Sequence, residues 1–218
     1  MTRPFPEFIL ASRSPRRRQL LAEAGYRFRV EPSPLPEPDP PAEPIEPTDL
    51  AEATALFKAA AIAALYPDSI VLGADTIVVA AGQVLGKADS PEQARQMLQT
   101  LSGTRHTVIT GLAVLLPFTA PSPPDASHDR DPEPELTYLA SDVTYITMRR
   151  LSDEEIDAYV ASGEWRDKAG AYAIQETADA FVDHIEGSFS NVVGLPMERL
   201  AELLAGIVLP NIDRRKMR

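Results

Sequence analysis

The chain has 218 residues, 44% of them apolar, no cysteine and a formal net charge of −11. That length supports one large domain or two small lobes with a substantial core, and the lack of cysteine excludes disulfides, thiolate metal sites and a cysteine nucleophile. The acidic balance argues against a broad nucleic-acid surface; no apolar run approaches the roughly 20 residues of a membrane span, and the N-terminus lacks the apolar core of a signal peptide, so a cytoplasmic protein is expected.

In chain order, an apolar strand is predicted over 8–11 and runs directly into a helix. Ser14 is a suitable N-cap and Pro15 suits the first helical position; the helix is predicted to reach Ala24 and stop at Gly25. A second strand is expected over 26–31. A proline-rich tract over 31–47 follows, and Thr48 is the expected cap of a long alanine-rich helix ending near Tyr66. Residues 69–80 form a near-continuous apolar strand of the kind buried on both faces of a sheet, with a hairpin turn at Ala81-Gly82. Ser90-Pro-Glu-Gln93 reads as a capping box opening a helix to about Leu101. Strands over 106–116 and 136–148 pair across a second proline-rich tract, 117–134. Ser152-Asp-Glu-Glu155 opens a further capped helix, a late strand covers 181–185, and Pro196 starts the last helix. Strands and helices alternate, so the class is α/β. One domain over 1–218 is expected, with both proline tracts as loops.

The first strand–helix junction gathers Arg13, Arg16, Arg17 and Arg18 on an otherwise acidic chain. A helix start offers free N–H groups and a positive dipole end, and arginine adds planar donors. At 100° per residue, Leu20, Leu21 and Ala24 define the inward face, and Arg17 shares it while Arg16 and Arg18 flank it. Arg17 on that face calls for an anionic ligand such as phosphate; the alternative is a structural salt bridge or a solvated basic turn. Ser12 and Ser14 place hydroxyls at the same point.

Asp75 lies inside the apolar strand, where its charge is costly unless a metal, a lysine or a catalytic water pairs with it; the alternative is a strand-end aspartate that satisfies a turn. Lys58 stands alone among alanines in the long helix, where a solvated lysine is the ordinary reading, and Lys87 follows Gly86 after the hairpin. Asp167-Lys-Ala-Gly-Ala-Tyr172 is a polar loop rich in small residues that can bring backbone donors to a ligand, and the Gln175 amide beyond it can read a base edge. From the residues alone, an α/β protein binding a polyanion beside a carboxylate emerges, a composition suited to hydrolysis of a phosphoanhydride.

Leu10-Ala-Ser-Arg-Ser-Pro-Arg-Arg17, Gly73-Ala-Asp-Thr76, Leu101-Ser-Gly103 near His106, Asp167-Lys-Ala-Gly-Ala-Tyr172 and Gly194-Leu-Pro196 together resemble the Maf family of nucleotide pyrophosphatases over about residues 7–205. The resemblance implies an elongated α/β fold related to inosine triphosphate pyrophosphatases, with two lobes around a cleft, a mixed sheet flanked by helices, and a homodimer. It implies hydrolysis of a nucleoside triphosphate to monophosphate and pyrophosphate with a divalent cation, Mg2+ or Mn2+. Asp75 matches the proton acceptor and is a metal-ligand candidate; Ser12, Arg17, Lys58 and Lys87 match phosphate-handling positions, with Ser14 grouped beside them. Arg16, Thr76 and Gln175 match the residues of the dTTP/UTP type, whereas the 7-methyl-GTP type typically carries Trp, Gln and Glu there. Three departures stand out. Ala173 and Glu176 replace glycines of the family pattern beside the expected base pocket. Prolines interrupt the segment that usually supplies an acidic pair, leaving Glu37 as the match for the site carboxylate. The second proline tract is an insertion without an assigned role. A 7-methyl-GTP or modified-nucleotide pyrophosphatase, and a non-catalytic nucleotide-binding regulator of cell division, are the rival readings.

Overall fold

The computed structural model describes residues 5–36, 44–117, 137–174 and 177–207. Seven strands form one mixed sheet: β1 Phe8–Leu10, β2 Phe28–Val30, β3 Val71–Ala80, β4 Gln83–Leu85, β5 Arg105–Leu115, β6 Thr137–Met148 and β7 Val182–Glu186. Their order is β2-β1-β3-β5-β6-β7, with β4 paired to β3. The β1–β2 and β1–β3 pairs are parallel and the others antiparallel. The α/β class expected from the alternation is thus the class observed.

Among the described residues, six helices flank the sheet: α1 Pro15–Glu23, α2 Pro47–Ala63, α3 Pro91–Leu101, α4 Asp153–Ser162, α5 Phe189–Val193 and α6 Met197–Gly206. Side chains alternate between faces along each strand, so the two faces acquire different covers. Among the described residues, helix α2 covers one, packing Ala55, Ala59 and Ile62 on Ile9, Val71 and Ala113, and Ala51 on Ile77 and Ile109. The other face is shared. Near β1, Leu21 of α1 and Leu200 and Leu204 of α6 pack on Leu10, Leu72 and Val114. Toward β7, Leu98 and Leu101 of α3 and Ile156 and Tyr159 of α4 pack on Val78, Val108 and Ile146. No helix among the described residues is long and apolar enough to cross a membrane.

The close seat of α2 depends on two glycines. A Cβ at Gly73 would stand 2.2 Å from the Ala55 carbonyl oxygen, and one at Gly111 would stand 2.3 Å from the Ala51 backbone. Alanines on the helix and glycines on the strands bring backbone against backbone.

Several local expectations hold. Ser14 accepts a hydrogen bond from Arg17 N, Pro15 opens α1, and Gly25 takes a positive φ of 75°. Ala81 and Gly82 both have positive φ, as a tight two-residue hairpin requires. Ser152 and Glu155 complete a reciprocal capping box. Others need correction. Thr48 is not the cap of α2: Pro47 takes the first helical position, where its missing N–H costs nothing, so Glu46 becomes the N-cap. That helix ends at Ala63, and the chain then turns through Tyr66 N hydrogen bonds to Ile62 O and Ala63 O. Ala24 is exposed rather than inward because α1 ends at Glu23. At α3, Ser90 caps Gln93 N as expected, but the Gln93 side chain accepts from Asp89 N instead of closing the box on Ser90. Phe181 belongs to a 3-10 turn, Thr177–Phe181, rather than to β7.

Candidate active site

The site begins with an interruption in the sheet. One edge of β3 pairs with β5 from Val71 to Val79. The other edge meets β1 only at Val71 and Leu72, and β4 only from Val78 to Ala80. The residues between, 73–77, face a gap, and a cleft of about 1090 Å3 opens there.

Asp75 and Thr76 sit in the gap on opposite faces of the strand. Asp75 faces α2, whose Lys58 approaches because Gly73 lets the helix settle. Lys58 Nζ donates to Asp75 Oδ1 at 2.5 Å, and each side chain is 13% exposed. Of the readings open for Lys58 and Asp75, the structure therefore takes the paired one. The ammonium holds one carboxylate oxygen, Oδ1, and leaves the second oxygen for other work.

Arg17 reaches the other face. Its Nε donates to Gly194 O at 2.7 Å, Nη1 to Ala74 O at 2.8 Å and to Ser12 Oγ at 3.1 Å, and Nη2 to Thr76 Oγ1 at 3.0 Å. The helical wheel placed this residue inward, and it is buried. Its guanidinium also satisfies the Ala74 carbonyl left without a strand neighbour. Gly194 adopts a φ of +118°, in the region that favours glycine, directly after α5, and thereby presents its carbonyl. Ser14 caps α1 through Arg17 N and donates its own N–H to Ser12 Oγ, so both serines shape the helix start.

The opposite wall comes from residues 163–174. Lys87 and Ala169 form a β-bridge, and Gly170 N donates to Gly86 O at 2.9 Å. Asp167 and Ala171 hold positive φ values of 62° and 61°, so the loop is tightly folded. Lys168 is buried within it and Tyr172 is 5% exposed. The Tyr172 hydroxyl lies 2.7 Å from His106 Nε2. Burial lowers the His106 pKa to about 4 and raises that of Tyr172.

Ser12, Ser14, Arg16, Arg17, Lys58, Asp75, Thr76 and Lys87 all line the one cleft. Glu37, Gln175 and Glu176 lie outside the described residues, as does most of the second proline tract. Arg18 is exposed and away from the cleft, whereas Arg13, from the same basic turn, is exposed yet lines it. Sequence reasoning singled out the Asp167–Tyr172 loop for its backbone and did not single out Lys168, Arg166 or the Tyr172–His106 pair. A lysine inside a run of small residues was the available signal.

Among the described residues, seven lining side chains are cationic and three are carboxylates, on a chain whose net charge is −11. Low-dielectric walls lined by one sign of charge concentrate counter-ions. Among the described residues, no group of three or more His, Asp or Glu side chains forms a metal cage. The donor set fits instead a hard cation of the Mg2+ kind, which binds through one or two carboxylates and completes its shell with substrate phosphates and water. Asp75 would hold it.

Fold and cleft together define an α/β protein with a cation-rich cleft built around a carboxylate–lysine pair. The model of the family described as "Maf-like protein" matches residues 7–207, and the chain belongs to that family. A dTTP/UTP pyrophosphatase of Moorella thermoacetica is 47% identical over 200 residues, covering 91% of this chain and 94% of that protein. One from Anaeromyxobacter dehalogenans is 45% identical over 207 residues, covering 94% and 97%. Among solved structures, a HAM1 protein from Coxiella burnetii aligns over 92% of this chain and 99% of its own, with a TM-score of 0.49 and 17% identity.

Proposed function

We infer that this chain is a nucleoside triphosphate pyrophosphatase that hydrolyses dTTP and UTP to the monophosphate and pyrophosphate. The observation that carries the reading is the Lys58–Asp75 pair at the centre of a cation-lined cleft, in a chain whose relatives, 47% and 45% identical, bear that activity in their names.

In the proposed reaction, water attacks the α-phosphorus. The water oxygen bonds to phosphorus, the α–β bridging P–O bond breaks, and pyrophosphate leaves. A divalent cation, Mg2+ or Mn2+, supplies Lewis-acid neutralisation of the phosphate oxygens when bound. Asp75 offers its second oxygen to the cation or to the water proton, and Lys58 fixes the orientation of the carboxylate. Arg17, Lys58 and Lys87 set positive charge around the triphosphate, helped by the α1 N-terminus at Ser14. Arg16 and Thr76 belong to the base end of the cleft in this reading, with Gln175 as the third base reader. A nucleotide drawn from the cytoplasmic pool is the substrate.

The test is pyrophosphate release from dTTP by wild type and Asp75→Asn, with and without a chelator. Asn keeps the side-chain shape and removes both the negative charge and the proton acceptor. The expected loss is at least about 1,000-fold, with the melting temperature little changed. Chelation is expected to stop wild-type turnover and either cation to restore it. Full activity in Asp75→Asn would reject the mechanism.

A further inference from the structure

Behind Thr76 runs a chain of hydroxyls whose hydrogens can be placed. Thr110 stands directly across from Thr76 in the β3–β5 register and is fully buried. Its Oγ1 lies 3.1 Å from Asn191 O and 2.9 Å from Thr76 Oγ1. A carbonyl only accepts, so the single Thr110 hydrogen goes to Asn191 O. Thr110 must then accept from Thr76, which commits the single Thr76 hydrogen inward. Arg17 Nη2 already donates to Thr76 Oγ1 at 3.0 Å. The Gly194 carbonyl at 3.5 Å is the poorer alternative for the Thr76 hydrogen. One lone pair remains on Thr76 Oγ1, and Thr76 lines the cleft.

Asn191 is itself held firmly. It is fully buried, its side-chain amide donates to Val108 O at 3.1 Å and to Thr144 Oγ1 at 2.9 Å, and its backbone N–H is capped by Ser188 Oγ. The acceptor that orders the chain is therefore fixed by the fold and not by the substrate.

We propose that Thr110 is a positioning residue for base selection: through Asn191 O it orders the hydrogens so that Thr76 meets the cleft only as a hydrogen-bond acceptor. The proposal rests on the nucleotide reading above. Any group that reaches Thr76 Oγ1 must donate. The ring N3–H of thymine and uracil donates, whereas N3 of cytosine carries a lone pair at the same ring position and is turned away. Without Thr110 the Thr76 hydroxyl is free to rotate and donate, and that discrimination weakens.

The experiment measures kcat/KM for dTTP and dCTP in wild type, Thr110→Val and Thr110→Ser, with thermal melting alongside. Valine keeps the volume and removes the hydroxyl, while serine restores it. Thr110→Val is expected to lower the dTTP:dCTP ratio by about tenfold, with kcat/KM for dCTP unchanged or raised, and Thr110→Ser to keep the wild-type ratio. If Thr110→Val fails to fold, Thr110→Ala removes the same hydroxyl and the same outcome is expected. A merely structural loss lowers both nucleotides together, and a ratio within about twofold of wild type in the folded variant overturns the proposal. So does a Thr110→Ser ratio as low as that of Thr110→Val. Wild type inert toward both nucleotides would overturn the pyrophosphatase reading itself, a distinguishable failure.

Discussion

Gly73→Ala tests how the helix α2 seat builds the site. The added methyl would stand 2.2 Å from Ala55 O and 2.9 Å from Ala59 Cβ. Neither neighbour can rotate away, because one is backbone and the other is a Cβ. Ordinary contact needs about 3.4 Å or more, so α2 must withdraw by about 1 Å. That displacement loosens Ala51, Ala55, Ala59 and Ile62 from the sheet and pulls Lys58 off Asp75. Overpacking costs about 1–3 kcal/mol where side chains can adjust, and this rigid case belongs at about 3 kcal/mol. For a chain of this size that corresponds to a melting temperature about 6–12 °C lower. Turnover of dTTP at 25 °C should fall as well, since the lysine–carboxylate distance is set by the same contact. Gly206→Ala is the control. Nothing lies within 4 Å of its would-be Cβ, and alanine in helix α6 should be neutral or stabilising by up to about 1 kcal/mol. If Gly73→Ala melts within about 1 °C of wild type and turns over dTTP normally, the close-seat argument is wrong.

Three further outcomes are expected. His106, with its pKa lowered to about 4 by burial, favours the folded state while neutral; its contribution is fully present above about pH 6.5 and is lost as pH falls toward 4. The loss amounts to about 3 kcal/mol at most, and urea midpoints measured from pH 7 to 4 should fall less steeply in His106→Gln; equal slopes would refute the assignment. Arg17→Lys cannot reproduce separate donations to Gly194 O, Ala74 O and Thr76 Oγ1, so it should destabilise by about 2–3 kcal/mol and raise KM. Unchanged melting and KM in that variant would remove Arg17 from the centre of the site. The Ser152→Ala change should cost about 1 kcal/mol through loss of the α4 cap while leaving kcat and KM for dTTP unaltered, because the cap lies outside the cleft.

Local chemistry made much of the fold legible. Caps at Ser14, Ser90 and Ser152, the turn at Ala81-Gly82 and the apolar run of β3 each follow from nearest-neighbour rules, and each stands where the residues put it. The inward turn of Arg17 followed from helical spacing. Its partners did not, because Gly194 and Ala74 are 177 and 57 positions away. Lys58 reads as a solvated helix lysine when its helix is considered alone. The information that moves it inward lies elsewhere, in the match between Ala51, Ala55 and Ala59 on α2 and the glycines at 73 and 111. Small residues spaced by four on a helix, with glycines on two strands, signal a close helix–sheet contact. Only the pairing of β3 with β5 shows that both glycines lie beneath the same helix. The Thr110 hydroxyl gives no sequence signal at all, since a threonine in a strand is ordinary.

The same geometry explains why the site lies in the middle of a strand rather than at its end. In open parallel sheets, ligands gather beyond the strand termini at a point where the strand order reverses. Here β3 has ten residues, while β1 and β4 have three each and share its free edge. The central strand therefore exposes peptide groups that neither neighbour can reach. Exposed edge groups are ordinarily paired or covered. Arg17 covers the Ala74 carbonyl, and alternation sends Asp75 to one face and Thr76 to the other at that same point. A carboxylate held by a lysine on one side and an ordered hydroxyl held by an arginine on the other thus arise from one break in strand pairing. The two ends of the proposed chemistry, phosphate and base, are set by neighbouring residues that point in opposite directions.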